Sequence, residues 1–102
     1  MVVWSDRAIS HITDFIDKAK AGTEQTAKNY MNKLIDYVEI LETLPDLGKK
    51  FELKVSDYNV KQIIYRKHRI IYYKNEKKVV ILAVLHTKLD IKKAIKDLND
   101  GT

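Results

Sequence analysis

The sequence predicts an α+β domain of two layers, in which a helical hairpin packs on a twisted antiparallel sheet of three or four strands. Two observations predict it. Hydrophobic residues recur at helical spacing between residues 8 and 44, whereas β-prone runs and alternation with polar residues dominate between residues 51 and 86. The length of 102 residues, with 45% hydrophobic residues and only one proline, fits a single domain, 1–102.

The first half of the chain predicts a short strand and two helices. The β-prone opening 2–4 precedes Ser5, which suits a helix N-cap, and Gly22 suits the C′ position that stops this first helix. Thr23 is the expected N-cap of the second helix, which ends near Pro45. With a connection of about two residues, the helices should pack antiparallel. Their apolar stripes comprise Ala8, Ile9, Ile12, Phe15, Ile16 and Ala19, then Ala27, Tyr30, Met31, Leu34, Val38, Leu41 and Leu44.

The second half begins with an antiparallel meander. Alternation over 51–55 predicts a first strand or an extended approach, and 57–59 reads as a turn. The segments 60–66 and 69–74 are rich in Ile, Val and Tyr. Because only residues 67–68 separate them, a tight hairpin with its turn at Lys67-His68 is expected.

The C-terminal part predicts one more strand and a short helix. After a turn at 75–78, the segment 79–86 is apolar on both faces, as in a central strand covered at least partly on both sides. Asp90 is expected to cap the short C-terminal helix, and the sheet face opposite the helical hairpin is expected to stay partly open. The apolar positions of the last helix are Ile91, Ala94, Ile95 and Leu98.

The net charge is +5 and the isoelectric point about 9.3, with most unbalanced Lys and Arg between residues 49 and 93. A basic small domain often binds nucleic acid or an acidic protein, although such charge can also serve solubility alone. The chain has no cysteine, which excludes disulfides, thiol chemistry and a Cys-based zinc site.

The compartment predicted by the sequence is the cytoplasm. Residues 1–6 have no signal-peptide pattern, and the longest apolar run, 79–85, is too short to span a bilayer, so no membrane role is expected. No metal or cofactor is expected either. The three histidines are distant in sequence, and no glycine-rich loop could cradle a phosphate.

Four segments stand out by their order and spacing along the chain: Val3-Trp4-Ser5, Leu44-Pro45 with Leu47-Gly48, 63–65 with 68–72, and 80–86 with Asp90. In that order they resemble the start of ParE-like chains, an "L…P…G" element, a "YRIxY" hairpin and an "H-x-R-R-D" ending. The chain therefore resembles the ParE/RelE superfamily of toxins, and more closely its ParE-like members. The resemblance covers residues 2 to about 90.

The resemblance implies the toxin of a bacterial type II toxin–antitoxin system, which arrests growth unless a cognate antitoxin binds it in a hetero-oligomer. ParE-type toxins poison DNA gyrase by binding, and RelE-type toxins cut mRNA, usually on the ribosome. A third hypothesis is that the chain is an inactive relative that only binds the antitoxin. Fold alone does not choose among them.

The start at Trp4-Ser5, the Pro45/Gly48 element and the absence of a nuclease tail favour the gyrase-binding hypothesis, with a metal-independent mRNA nuclease as the enzymatic alternative. Elsewhere the sequence departs from both family patterns. Lys88 and Leu89 stand where the ending has two arginines, and Lys61 replaces an arginine that often precedes the hairpin. His68 replaces the first tyrosine of the hairpin motif. Residues 91–102 contain no Tyr, His or Arg, so the C-terminal acid–base residue of several RelE-type nucleases has no counterpart.

The candidate catalytic residues are Arg69, which could hold a phosphate, and His86, which could act as acid or base. The Arg69 side chain could instead lie in solvent on the exposed sheet face without a functional role. His86 could be a hydrogen-bonded residue that orients the next loop. The candidate residues for binding nucleic acid or the target are Arg66, Lys67, His68, Arg69 and Lys88.

The aromatic and histidine side chains near these candidates could have either a functional or a purely structural role. A histidine in a turn, as expected for His68, is most often plain surface. Tyrosines 65, 72 and 73 could stack on bases, but strand tyrosines more often serve as core or cross-strand partners. His11, on the first helix near Asp14, is expected at the surface.

Overall fold

The structure, a computed structural model, describes residues 1–51, 55 and 58–100. Its element order is the predicted one, and the N-terminal strand joins four antiparallel strands in one sheet of five. The elements are β1 (Val2–Trp4), α1 (Asp6–Asp17), α2 (Glu24–Val38), a 3-10 turn (Glu39–Glu42), β2 (Lys49–Lys50), β3 (Val60–Tyr65), β4 (His68–Asn75), β5 (Lys78–His86) and α3 (Ile91–Asp100).

The sheet has the strand order β1-β5-β4-β3-β2 and is mixed. Strands β2 to β5 form the expected antiparallel meander, but β1 runs parallel to β5, with Val2 opposite Val79 and Trp4 opposite Ile81. Parallel neighbours need a long crossover, which the helices and the meander provide here. The predicted antiparallel sheet of three or four strands is thus formed by β2 to β5, and the predicted N-terminal strand adds a parallel edge to it.

The first strand of the meander lies just before the segment 51–55, where a strand or an extended approach was expected. β2 comprises Lys49–Lys50, and Phe51 follows it as a buried residue whose N–H still donates to the Val60 carbonyl at 2.9 Å. Val55 forms an isolated bridge with Tyr58. The rest of the expected strand and part of the 57–59 turn lie outside the described residues.

Helix α1 begins as predicted and ends early. The Ser5 hydroxyl accepts the N–H of Ala8 at 3.1 Å, which confirms the N-cap. The helix ends at Asp17, and residues 18–23 join the two helices, so the connection is longer than the expected two residues. Gly22 adopts a φ of 86° within this connection rather than directly after the helix. Ile9, expected on the apolar stripe, is 49% exposed.

Helix α2 buries the expected stripe but stops at Val38, where the 3-10 turn replaces it, and Leu44 is exposed. Thr23 makes no side-chain cap, because its hydroxyl donates to the Lys20 carbonyl instead.

The connection after α2 is fastened to the sheet by Tyr72. The Tyr72 hydroxyl donates to the Pro45 carbonyl at 3.0 Å and accepts the Gly48 N–H at 2.8 Å. A Cβ at residue 48 would lie 2.5 Å from that hydroxyl and 2.8 Å from the Gln62 carbonyl oxygen. Close approach of this backbone to the sheet therefore requires glycine at residue 48.

Helices lie on both faces of the sheet. The helix face packs against α1 and α2, whereas α3 covers the second face, where Ile95 and Leu98 are buried. The Asp90 carboxylate accepts the N–H groups of Lys92 and Lys93, which confirms it as the cap of α3. The second face stays open beyond this helix, as expected, because Ile64 on the same face is 53% exposed.

A bulge in β5 explains why its apolar run serves both faces. Ile71 pairs with Ala83 but Tyr72 pairs with Ile81, which leaves Leu82 as an extra residue. As a result Ile81 and Val84 both belong to the helix-face core, although simple alternation would place them on opposite faces.

Helix α1 also covers the edge of β5 beyond the end of β1. The Ser5 hydroxyl donates to the Leu82 carbonyl, and the Val84 N–H donates to His11 Nδ1 at 3.1 Å. His11 is therefore half-buried and hydrogen-bonded, contrary to the surface position expected for it. Burial and the nearby charge of Arg7 lower the pKa of His11.

None of the helices in the described ranges is long and apolar enough to cross a membrane.

Candidate functional site

The basic candidates gather at one end of the sheet, around the β3–β4 turn. The turn consists of Arg66 and Lys67, with Tyr65 paired to His68, so the expected turn at Lys67-His68 was wrong by one residue. Arg66 adopts a φ of 50°, in the left-handed region. The Thr87 N–H donates to the Lys67 carbonyl at 2.8 Å, which ties the turn to the end of β5.

The shift of the turn changes the environment of His68. Because side chains alternate along a strand, His68 shares the face of Ile70 and Tyr72, which pack against the helices. Only 5% of the residue is exposed, so the expectation of a surface histidine in the turn was wrong.

His68 lies in an aromatic cluster between α1, α2 and β5. Its Nδ1 is 2.8 Å from the Tyr30 hydroxyl oxygen, and the centroids of the two rings are 5.3 Å apart. The Phe15 ring meets the imidazole edge-on at 5.1 Å, and the His86 ring is 5.4 Å away. Contacts of this kind hold a ring in place rather than leave it free to approach a substrate.

Burial, with a smaller contribution from His86, lowers the pKa of His68 to about 4. The imidazole is therefore neutral at pH 7 and adds no positive charge to the surface. The hydrogen bond between Tyr30 and His68 can form with either tautomer of the neutral ring, because the phenol can donate to Nδ1, or donate to the Tyr65 carbonyl at 3.4 Å and accept a proton from Nδ1–H. Burial also raises the pKa of Tyr30, so the phenol keeps its proton.

His86 is half-buried at the end of β5, and its Nδ1 accepts the backbone N–H of Lys88 at 3.1 Å. This hydrogen bond orients the turn that follows the strand, which is the structural alternative to a catalytic role for His86. The bulge in β5 puts His86 on the helix face, beside His68. The side chain of Lys88 is exposed on the turn.

Arg69 lies on the other face of the sheet. It follows His68 in β4 and is adjacent to Ile71 on the α3 side, and its guanidinium donates to Gln62 Oε1 at 2.8 Å. The two catalytic candidates, Arg69 and His86, are thus separated by the sheet. The structure brings His86 together with His68 and Tyr30, and not with Arg69.

A groove of about 770 Å³ opens beside this cluster and is here called the hairpin groove. It lies where the end of α1, the start of α2, the β3–β4 turn and the end of β5 meet. Its walls are largely apolar and aromatic, and its three cations come from two different parts of the chain. The lining residues are Phe15, Lys18, Ala19, Thr23, Thr26, Ala27, Tyr30, Arg66, Lys67, His68 and His86.

Residue Tyr30 was predicted only as part of an apolar stripe, and its role at the site was missed. A tyrosine on a helical stripe signals that its hydroxyl needs a partner, but the sequence does not say which. Lys18 was also missed, since helix α1 shows no local basic run.

The tyrosines considered for base stacking have other partners. Tyr72 is fully buried, Tyr73 stacks on Tyr58 at 4.0 Å, and Tyr65 packs against the rings of Tyr30 and Tyr37.

In the described ranges no group of three or more His, Asp or Glu side chains is arranged to hold a metal ion.

Comparison with known proteins identifies the family. Residues 2–91 match the family model described as the ParE toxin of the type II toxin–antitoxin system parDE. A solved chain described as "Chromosomal ParDE TA system from P. aeruginosa" has a similar fold, with a TM-score of 0.71 and 14% identity over 85% of this chain and 95% of that chain. No curated protein sequence matches this chain at a significant level.

Proposed function

The chain belongs to the ParE toxin family of type II toxin–antitoxin systems, and from this premise we propose that it arrests bacterial growth by binding and poisoning DNA gyrase. The observation that carries the proposal is the family match over residues 2–91. Gyrase works in the bacterial cytoplasm, and the proposal places the toxin there as well.

The geometry of the basic end supports binding over RNA cleavage. Metal-free cleavage needs a cation at the phosphate and an acid or base within hydrogen-bond reach of the same scissile group. Arg69 and His86 do not meet this condition together, because they extend from opposite faces of the sheet. His68 supplies no cation beside His86, since its low pKa keeps it neutral at pH 7, and the cations near His86 belong to the exposed turn.

The test of the proposal is a supercoiling assay with purified gyrase, relaxed plasmid and ATP. We expect the toxin at micromolar concentration to reduce supercoiling and to increase the linear DNA released from trapped cleavage complexes by detergent and protease. Undiminished supercoiling and no linear DNA would contradict the gyrase mechanism. New mRNA cuts in primer extension from expressing cells would favour the RelE-type alternative, and normal growth on induction would favour an inactive relative.

Neutralisation by a cognate antitoxin is part of the same proposal. It is expected that the product of a short open reading frame adjoining this gene forms a hetero-oligomer with the toxin and restores growth. An acidic antitoxin would complement the basic end of the sheet. Co-expression followed by size-exclusion chromatography of the complex is the direct measurement, with the toxin expressed alone as the control.

A further inference from the structure

We infer that the hairpin groove is where the toxin contacts its protein target, by accepting an acidic segment that carries an apolar side chain. This inference rests on the proposed function, since it assumes that the toxin acts by binding. It goes further by naming the surface and the chemistry of the segment that the surface recognises.

The shape and the lining of the groove suit an apolar side chain of a bound protein segment. The hairpin groove has a volume of about 770 Å³, which is within the range of concave binding sites and large enough for several side chains. Phe15 and Ala27 contribute apolar surface, and the Tyr30 and His68 side chains are fixed by their mutual hydrogen bond. Rigid apolar pockets of this kind hold the side chains that dominate binding energy at protein interfaces.

The charges of the groove select an acidic segment. Lys18, Arg66 and Lys67 line it, and none of its lining residues in the described part of the chain is acidic. Arg66 and Lys67 are exposed on the turn, and none of the three forms a salt bridge with another described residue. Carboxylates of a docked segment would therefore meet cations that make no competing ion pair there.

A polypeptide fits these features better than a nucleic acid does. Stacking on bases requires free aromatic faces, whereas the rings here already pack against one another. Phe15 meets His68 at 89°, and Tyr30 packs on both Phe15 and Tyr65. The cations number three, which is few for a surface that must track a phosphate backbone.

The test compares two double charge reversals that change the net charge equally. Lys18→Glu with Lys67→Glu alters the groove, and Lys74→Glu with Lys78→Glu alters exposed residues at the β4–β5 turn, the opposite end of both strands. A third variant, Thr26→Trp, places a large side chain at an exposed position on the groove wall. Circular dichroism melting establishes that each variant is folded.

The expected result is that both groove variants lose at least about tenfold in potency against gyrase, equivalent to about 1.4 kcal/mol of binding, while the β4–β5 control stays close to wild type. Growth arrest on induction should follow the same order. The inference is overturned if the folded groove variants keep wild-type potency, or if the control loses as much as they do.

Two further outcomes separate this inference from the proposed function. If wild-type toxin spares gyrase but arrests growth, and only the groove variants lose growth arrest, the gyrase proposal fails and the groove assignment stands for another protein target. Groove variants that remain toxic but escape the antitoxin would show that the groove belongs to the antitoxin, which overturns the inference. Loss of RNA binding by the groove variants, with gyrase inhibition retained, would overturn it as well.

Discussion

At the scale of single residues, His68 was predicted to belong to a basic binding surface, but the structure buries its side chain. Its Nδ1 faces the Tyr30 hydroxyl at 2.8 Å, and rings from α1, α2 and β5 enclose it. Buried polar atoms are tolerated when they are hydrogen-bonded, and here two polar side chains satisfy each other. The neutral imidazole is thus a structural element of the groove wall, and the cations of the site are Lys18, Arg66 and Lys67.

The low pKa of His68 predicts a loss of stability in acid. Its pKa falls from 6.5 in the unfolded chain to about 4 in the folded protein, so the unfolded chain binds the proton more tightly. The stability is fully present above pH 6.5 and is lost as the pH falls towards 4, by roughly 3 kcal/mol at pH 4. In His68→Leu this loss should be absent, while the Tyr30 hydroxyl keeps the Tyr65 carbonyl as an acceptor.

Urea denaturation of wild type and His68→Leu between pH 7.5 and pH 4 measures the effect. The difference in the free energy of unfolding between the two proteins isolates His68, since the carboxylates and His11 are present in both. A difference that does not change with pH would contradict a buried, neutral His68.

At the scale of elements, the β3–β4 hairpin positions the site. A one-residue change of its turn would move His68 from the helix face to the α3 face and Arg69 in the opposite direction. The observed turn requires Arg66 to adopt a φ of 50°, a conformation that costs a non-glycine residue roughly 1–2 kcal/mol. Pairing of Tyr65 with His68 and the Thr87–Lys67 hydrogen bond hold this register.

The conformation of Arg66 predicts that Arg66→Gly stabilises the folded protein. Glycine enters the left-handed region without steric cost, and the gain should be about 0.5–1 kcal/mol after the greater entropy of glycine in the unfolded chain is included. Lys67→Gly is the matched control, because Lys67 has no positive φ and should lose stability. Thermal melts of the two variants provide the measurement, and a destabilised Arg66→Gly would show that the turn has another geometry.

At the scale of the whole molecule, one sheet joins two cores. The helix-face core contains Ile70 and Ile81, and the α3-face core contains Ile71 and Ala83, so β4 and β5 supply neighbouring residues to both. Disturbance of one core should therefore reach the other through the strands, and the domain should unfold as a single cooperative unit.

Leu98→Ala tests this cooperativity. Truncation of a buried leucine should cost about 2–3 kcal/mol. Trp4, the single tryptophan, packs against the opposite core, and its fluorescence should report the same shift of the unfolding midpoint as circular dichroism. Lys96→Ala, on the exposed side of α3, is the control and should change little. An unchanged tryptophan transition beside a shifted dichroism transition would mean that the two faces unfold separately.

Local chemistry and periodicity in the sequence were enough to determine most of the elements. The Ser5 and Asp90 caps, the apolar stripe of α2 and the strands around the β3–β4 hairpin depend on neighbouring residues, and they were predicted correctly. The order of these elements also carried the family resemblance, which the match over residues 2–91 confirms.

Only the tertiary structure decided which residues meet at the site. The extra residue Leu82 reverses the alternation of β5 and brings His86 to the helix face, and the turn at Arg66 brings His68 there too. A period of two does not reveal a bulge or a shift of one residue, because both depend on packing between distant segments. The sequence thus determined that a basic end exists, and packing divided it into the hairpin groove on one face and Arg69 on the other.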